Sequence, residues 1–405
     1  MLQHADTQPE SLCGADAGIA KDHKKDYMKQ LRIAWQQLPQ RLRSTITTSL
    51  KALITVGAFY LLLTHEVRTE DGRHVTTLRA IQEHIPEIDL ATFWKFCLAA
   101  TAIKFVGILS SMYRWTLLLR GQGIVLPFRH IFGSFLIGRF IGTFLPSTLG
   151  LDGYKLYDAA RFSGRAVEAT AATVIEKVLG VLGIFLTFLV ALPLGISIFG
   201  DNAFQVGILT VPIATGIIGG FFLLLFKPAL VQWFIENVPF PGKAKISGFV
   251  TRVSNAAAAY SDHKMILLNA TFQSWVVHFT TAAMYYFTAL AVGAIDANFW
   301  EVTFASVIQI FATVVSPFTI AGEGIREIAQ TYLLSHRLGT SQAVMSAALG
   351  FWAAEALTLG GAFFWWARRK DYRPSYVMVD GRAIDPSTAS PGELGLSGVE
   401  ADRLV

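Results

Sequence analysis

Two stretches of this chain, PSTLGLDGYK at 146–155 and PFTIAGEGIR at 317–326, carry matching chemistry at matching spacing. Each has a proline, a threonine two residues on, an acid six on, a glycine next and a base nine on. The pairs are Pro146 with Pro317, Thr148 with Thr319, Asp152 with Glu323, Gly153 with Gly324, and Lys155 with Arg326; Glu327 follows the second base. Proline stops a helix by removing a donor, and glycine lets the backbone turn sharply. A helix starting just after the acid would aim its free N–H groups and its dipole into the break, which favours an anion. Lys155 adds a mobile point charge and Arg326 a planar fork. Asp152, Gly153, Lys155, Glu323, Gly324, Arg326 and Glu327 are therefore candidates for binding a phosphate-bearing lipid headgroup. Taken singly, each acid also reads as a helix cap and each base as a snorkelling side chain. The duplication favours the site.

A second set of ionisable residues, Arg139, Glu176, Lys177 and Glu355 together with Lys104, falls inside apolar runs. Such groups are costly in lipid unless they are paired or line a wet cavity. Glu176 and Lys177 are adjacent, so they diverge on a helix and reach different partners. Proton coupling through Glu176 or Glu355 and a structural ion pair are both open readings. Gly138 and Gly142 form a small-xxx-small pair, the pattern of a close helix contact. The cysteines, Cys13 and Cys97, and the nine histidines show no ligand-like spacing, so no metal and no cofactor are assigned. No nucleophile–base pair stands out, so no catalytic residue is assigned either, and no phosphate-binding loop of an ATP-driven pump is present.

The elements that must position these residues are membrane helices. The 405 residues are 53% hydrophobic and only 16% charged, with a mean hydropathy of +0.45. A hydrocarbon core of about 30 Å needs roughly 20 helical residues, and many runs here reach that length. Unpaired backbone is not tolerated in lipid and the runs are too long for barrel strands, so the expected fold is an all-α, polytopic helical bundle. Residues 1–44 read as a basic N-terminal extension, with Leu31, Trp35 and Leu38 helically spaced on a surface helix or a simple orienting segment. Residues 45–370 form the transmembrane domain, and 371–405, rich in Pro, Ser and Gly, a disordered tail.

The distribution of Lys and Arg sets the expected topology, and the net charge of +5 reflects it better than nucleic-acid binding does. Basic clusters at 21–51, 155–165, 227–264 and 367–370 are placed in the cytoplasm, as are both termini. Arg114, Trp115 and Arg120 read as a cytoplasmic interface anchor. Full crossings are expected at 46–64, 92–118, 166–191, 206–226, 264–293 and 342–366. Segments 128–146 and 299–340 would dip in and return, although eight plain crossings also keep both termini inside. The helices before the two breaks would then run in opposite directions, the mark of an inverted repeat around a transporter site.

RWTLLLRGQG, FLPSTLGLDGYKLYDAARFSGR, VIEKVLGVLG and SPFTIAGEGIREIAQTYLLSHRLGTSQAV resemble the membrane domain of lysylphosphatidylglycerol synthases and related stand-alone flippase-like proteins. The resemblance covers roughly 45–370. Arg326 and Glu327 match the family's second motif directly. In the first motif Leu151 replaces a glycine and Lys155 an arginine, and Glu176-Lys177 stands where the family has Asp-Arg. The resemblance implies lipid translocation in a bacterial inner membrane, or a role beside lipid-modifying enzymes, without the synthase's aminoacyl-transferase domain. Membrane lipids, anionic or isoprenoid-type, are the expected partners, with lipid-biosynthesis enzymes acting alongside. The rival readings are a membrane enzyme using Asp152 or Glu176 as acid or base, and a non-transporting assembly factor.

Overall fold

The computed structural model describes residues 39–68, 73–144, 149–238, 243–316, 323–369, 377–379 and 382–384. The basic extension with Leu31, Trp35 and Leu38, most of the C-terminal tail, and Pro146, Thr148, Pro317 and Thr319 lie outside the described residues. The chain divides into two units, Met1–Ile54 and Thr55–Val405. The first unit contributes the start of α1 (Gln40–Thr64), and the second carries everything else.

The stretch after α1 carries secondary structure among its described residues. It holds a short antiparallel hairpin, β1 (Glu66–Arg68) with β2 (His74–Thr76), in which Val67 faces Val75, and helix α2 (Thr77–His84). Asp89 then caps α3 (Leu90–Gly121), its carboxylate accepting from the Thr92 amide at 2.8 Å. That pairing with Thr92 holds the Asp89 carboxyl below the usual carboxylate range.

Helices α4 (Phe128–Phe144), α5 (Leu149–Ser163) and α6 (Ala166–Gly195) follow, then α7 (Ala203–Phe226) after a 3₁₀ turn in which Gly200 has φ 52°. The basic segment after α7 forms α8 (Pro228–Asn237) and α9 (Lys243–Ala258). The second half comprises α10 (Lys264–Ala291), α11 (Phe299–Val315), α12 (Ile325–Leu338), α13 (Thr340–Glu355) and α14 (Leu359–Arg369). A last hairpin pairs β3 (Val377–Val379) with β4 (Arg382–Ile384).

Among the described residues, four stretches are long and apolar enough to cross a membrane: Thr45–Thr64, Leu90–Gly121, Ala166–Phe226 and Thr340–Arg368. The third comprises α6 and α7 together. The protein is thus an all-α helical membrane protein. Its outer surface is apolar where a lipid-facing surface should be, with Leu98, Phe204 and Trp352 all exposed. Helix α10 has the length to cross but carries Asn269, Gln273, Ser274, His278 and a Thr280-Thr281 pair. Ser274 and Thr281 find partners on α3, in Arg114 and Lys104, while Met265, Leu268 and Phe272 of the same helix are exposed.

The halves are built alike and inverted. Along α3, Lys104 bonds to Thr281, Arg114 to Ser274, and Gly121 faces Ile266, so α10 runs antiparallel to α3. Exchanging α3, α4, α5 and α6 for α10, α11, α12 and α13–α14 reproduces the packing pairs. The α4–α5 contact matches α11–α12, α5–α6 matches α12–α13, and α3–α6 matches α10–α13. Most informatively, α4 packs on α14 while α11 packs on α6, so each broken hairpin rests on the last helix of the other half.

Within the first hairpin, His130 pairs with Asp158 while Gly138 lies against Leu151, so α5 doubles back along α4. A Cβ on Gly138 would sit 3.0 Å from the Leu151 carbonyl and one on Gly142 3.3 Å from the Leu151 amide. The small-residue pair therefore serves as expected, letting two backbones approach.

Three expectations need correction. Helix α5 starts at Leu149, so Asp152 lies in its first turn instead of preceding it. The residues 149–151 carry no helix-breaking requirement, and Gly153 is not among the positive-φ glycines, so the helix simply begins earlier. The last span is not one helix: it breaks at Glu355 into a 3₁₀ turn, Ala356–Thr358. There the Arg139 guanidinium bonds the Ala354 carbonyl at 3.2 Å, replacing part of the helical ladder. Finally, Arg114 and Trp115 are buried, at 7% and 2% exposure, and do not form an interface anchor; only Arg120 is exposed. Apolar residues surround both faces of α3 at that level, so hydropathy alone cannot tell its inner face from its outer one.

Candidate functional site

The ionisable residues that the sequence singles out inside the helices gather into two clusters. In the first, the Glu176 carboxylate of α6 receives Lys155 Nζ of α5 at 2.7 Å on one oxygen and Arg114 Nη2 of α3 at 3.0 Å on the other. Arg114 also donates to Ser274 Oγ of α10 at 3.0 Å. Lys155 lies 3.4 Å from Asp152, and Asp152 also pairs with Lys177. As their adjacency required, Glu176 and Lys177 reach different partners. The Lys155 ammonium sits 4.9 Å from the Trp115 ring centre and 5.2 Å from that of Phe135. With Lys155 only 2% exposed, this is a closed ion network tying α3, α5, α6 and α10 together. Gly153 has open space where a Cβ would go and takes no part in it.

The second cluster borders a cavity. Arg139 of α4 pairs with Glu355 of α13 at 3.0 Å and donates to Thr358 at 3.3 Å, while the Thr358 hydroxyl donates to the other Glu355 oxygen at 2.5 Å. Beside Glu355 opens a cavity of about 210 Å³, whose polar lining is Lys104, Thr281, Tyr285, Gln309, Thr313, Arg326 and Glu355. It collects side chains from α3, α10, α11, α12 and α13, and none from α5. The expectation of one site shared by both breaks is therefore not met among the described residues: the first break is closed and the second alone adjoins the cavity.

Local backbone explains the second arrangement. Gly324 adopts φ 84°, a conformation L side chains rarely take, and its amide donates to the Glu327 carboxylate at 2.7 Å. Helix α12 starts immediately afterwards, as the motif required. Glu327 is thereby spent as a cap, and its other oxygen lies 3.7 Å from Arg326. The Arg326 guanidinium lies 4.8 Å from the Phe351 ring centre, an arrangement that fixes its plane at the cavity wall. Glu323 is half-buried at the helix entrance.

Lys104 lines the same cavity as Arg326. Its ammonium donates to the Thr281 hydroxyl at 3.0 Å, and among the described residues no carboxylate lies within ion-pair distance. Two cations facing one already-bonded carboxylate make a site that attracts a compact anion. Val314, which lines the cavity, is exposed, so the mouth reaches the outer apolar surface. A larger cavity of about 830 Å³ adjoins Leu61, His65, Phe199, Ile328, Tyr332 and His336, but it gathers no comparable set of buried charges.

Sequence reading named Arg326 and Glu355 and counted Lys104 among the intramembrane charges without placing it in the site. The sequence presents Arg114 as an interface anchor and does not single out Tyr285 or Gln309. Gln309 left a signal, being an amide in the middle of the apolar run 299–315. The family model of the lysylphosphatidylglycerol synthase TM region matches residues 48–361, which include both clusters and both breaks. No curated protein matches the chain.

Proposed function

Because the chain belongs to the lysylphosphatidylglycerol synthase transmembrane-region family, we propose that it is a flippase-like carrier that binds the anionic headgroup of a membrane lipid and moves it between leaflets. The observation that carries this reading is the cavity holding Lys104 and Arg326 where the two inverted halves meet. Paired broken segments in inverted repeats are the usual place for a transporter's site. The headgroup would enter the 210 Å³ space while the acyl chains stay outside, past Val314. No nucleotide or metal is part of this reading, and the chain acts as a transporter, not an enzyme.

The proposed setting is a bacterial inner membrane with both termini cytoplasmic. Helices α4 and α11, at 17 residues each, span roughly 25 Å at about 1.5 Å per residue. That is short of a full crossing, in line with both dipping in and returning. A cysteine at exposed Val167 should then label from the cytoplasmic side only, and periplasmic labelling would overturn this topology.

The decisive experiment reconstitutes the protein in liposomes with fluorescent anionic phospholipids and follows leaflet exchange. Wild type should exchange lipid, and Lys104→Met and Arg326→Gln should each reduce exchange at least about tenfold, the scale of one lost charged hydrogen bond. Undiminished exchange in both variants would remove the cavity from the mechanism. Chemical alteration of the lipid would instead point to a membrane enzyme.

A further inference from the structure

The cavity contains a polar atom that none of the described ion pairs uses. Gln309 of α11 is 1% exposed, and its side chain lines the cavity between Tyr285 and Arg326. Its Nε2 donates to the Tyr285 hydroxyl at 3.1 Å, while its Oε1 accepts no hydrogen bond among the described residues. A buried acceptor left without a donor loses its hydration with nothing in return, a cost of about 1–3 kcal/mol in general. Gln330 has a similar orphan oxygen, but it lines neither of the two cavities described above. Gln309 differs because it lines the cavity.

The remaining lining shows what such a ligand would have to supply. Lys104 and Arg326 are donors only and suit phosphate oxygens. Both Glu355 oxygens are already engaged, one by Arg139 and one by Thr358. Gln309 Oε1 is thus an acceptor in the cavity lining that has no donor among the described residues. A phosphodiester group alone carries no proton at neutral pH and cannot satisfy it. A phosphodiester whose headgroup ends in a hydroxyl or an ammonium can, with the phosphate on the two cations and the headgroup donor on the amide.

We propose that Gln309 makes this cavity selective for phosphodiester lipids whose headgroup carries a hydrogen-bond donor. This rests on the anion-site reading above and narrows its substrate class, setting phosphodiesters with hydroxyl- or ammonium-bearing headgroups ahead of phosphodiesters whose headgroup has no donor. Tyr285 acts as a positioning residue, since its hydroxyl holds the amide in the orientation that presents Oε1. Buried polar groups built to hydrogen-bond a ligand discriminate strongly against analogues that leave them unpaired.

The test compares phosphatidylglycerol with phosphatidylmethanol, two singly charged phosphodiesters of which only the first has headgroup hydroxyls, in the liposome exchange assay. Wild type should move phosphatidylglycerol about tenfold faster. Gln309→Met, nearly the same shape without the amide, should bring phosphatidylglycerol down to the phosphatidylmethanol rate, and Tyr285→Phe should narrow the gap. Equal rates in wild type, or a preference that survives in Gln309→Met, would overturn the assignment. Lys104→Met, run alongside, separates the two layers: if it abolishes exchange of both lipids while wild type shows no preference, the anion site stands and the Gln309 role fails. If exchange is absent in wild type or persists in Lys104→Met, the site itself fails. Should Gln309→Met not fold, the wild-type ratio and Tyr285→Phe still decide.

Discussion

The two breaks share a sequence motif and differ in what the fold makes of it. At the first, α5 begins before Asp152, and Lys155 turns inward to Glu176, where Arg114 joins it. At the second, Gly324 turns into the left-handed region, α12 begins after it, and Arg326 lies at the edge of an open cavity. One glycine sits within a helix with free space around it, and the other makes a turn that few residues can make. The base nine residues after each proline is therefore a fastener in one half and a receptor in the other. A duplicated motif fixes where the backbone breaks, but the neighbours on the other helices decide whether its charge is satisfied internally or offered outward.

This contrast can be broken most forcefully at Glu176. Replacing it with Ala leaves Lys155 and Arg114 buried together, and loss of one partner of a buried pair costs about 3–5 kcal/mol. We expect a large fall in the thermal midpoint of the detergent-solubilised protein, read by tryptophan fluorescence. A midpoint near wild type would show the first cluster is not a fastener. At the second cluster, Glu355→Gln should cost only about 1–2 kcal/mol, because Arg139 keeps Ala354 and Thr358. A loss as large as that of Glu176→Ala would erase the distinction.

Between these lies Gly138→Val, which forces side-chain volume against the Leu151 backbone and should destabilise by about 1–3 kcal/mol in the same melt. A neutral result would mean that the α4–α5 approach is loose. The smallest effect sharpens the baseline. Asn298 caps α11, its Oδ1 accepting from the Trp300 amide at 2.9 Å, and Asn298→Ala should cost about 1 kcal/mol without altering lipid preference. Altered preference there would show that selectivity follows α11 as a whole and not its amide.

Much of this was legible in the sequence, and the misses share a cause. Span positions follow from runs of apolar residues, and the repeat is visible because Pro146 to Lys155 and Pro317 to Arg326 match position by position. Hydropathy records how polar a residue is but not which neighbour it meets. Arg114 near the end of an apolar helix therefore looks like an anchor, although it is half of a buried pair with a residue 62 positions away. Lys104 was visible as a charge in lipid, but its place in the same cavity as Arg326 depends on α10 running antiparallel to α3. Gln309 was passed over because one amide hardly lowers the hydropathy of its run. The early start of α5 was hidden by the motif itself, since spacing suggested a symmetry that local backbone does not keep.

The rest of α4 on α14 also has a consequence in time. Arg139 meets its carboxylate partner 216 residues later in the chain. At synthesis rates of about 5–20 residues per second, that partner arrives roughly ten to forty seconds after Arg139 has entered the membrane. During that interval the guanidinium lacks its Glu355, Ala354 and Thr358 partners, and closure by Glu355 is the last step in seating the first hairpin on the second half.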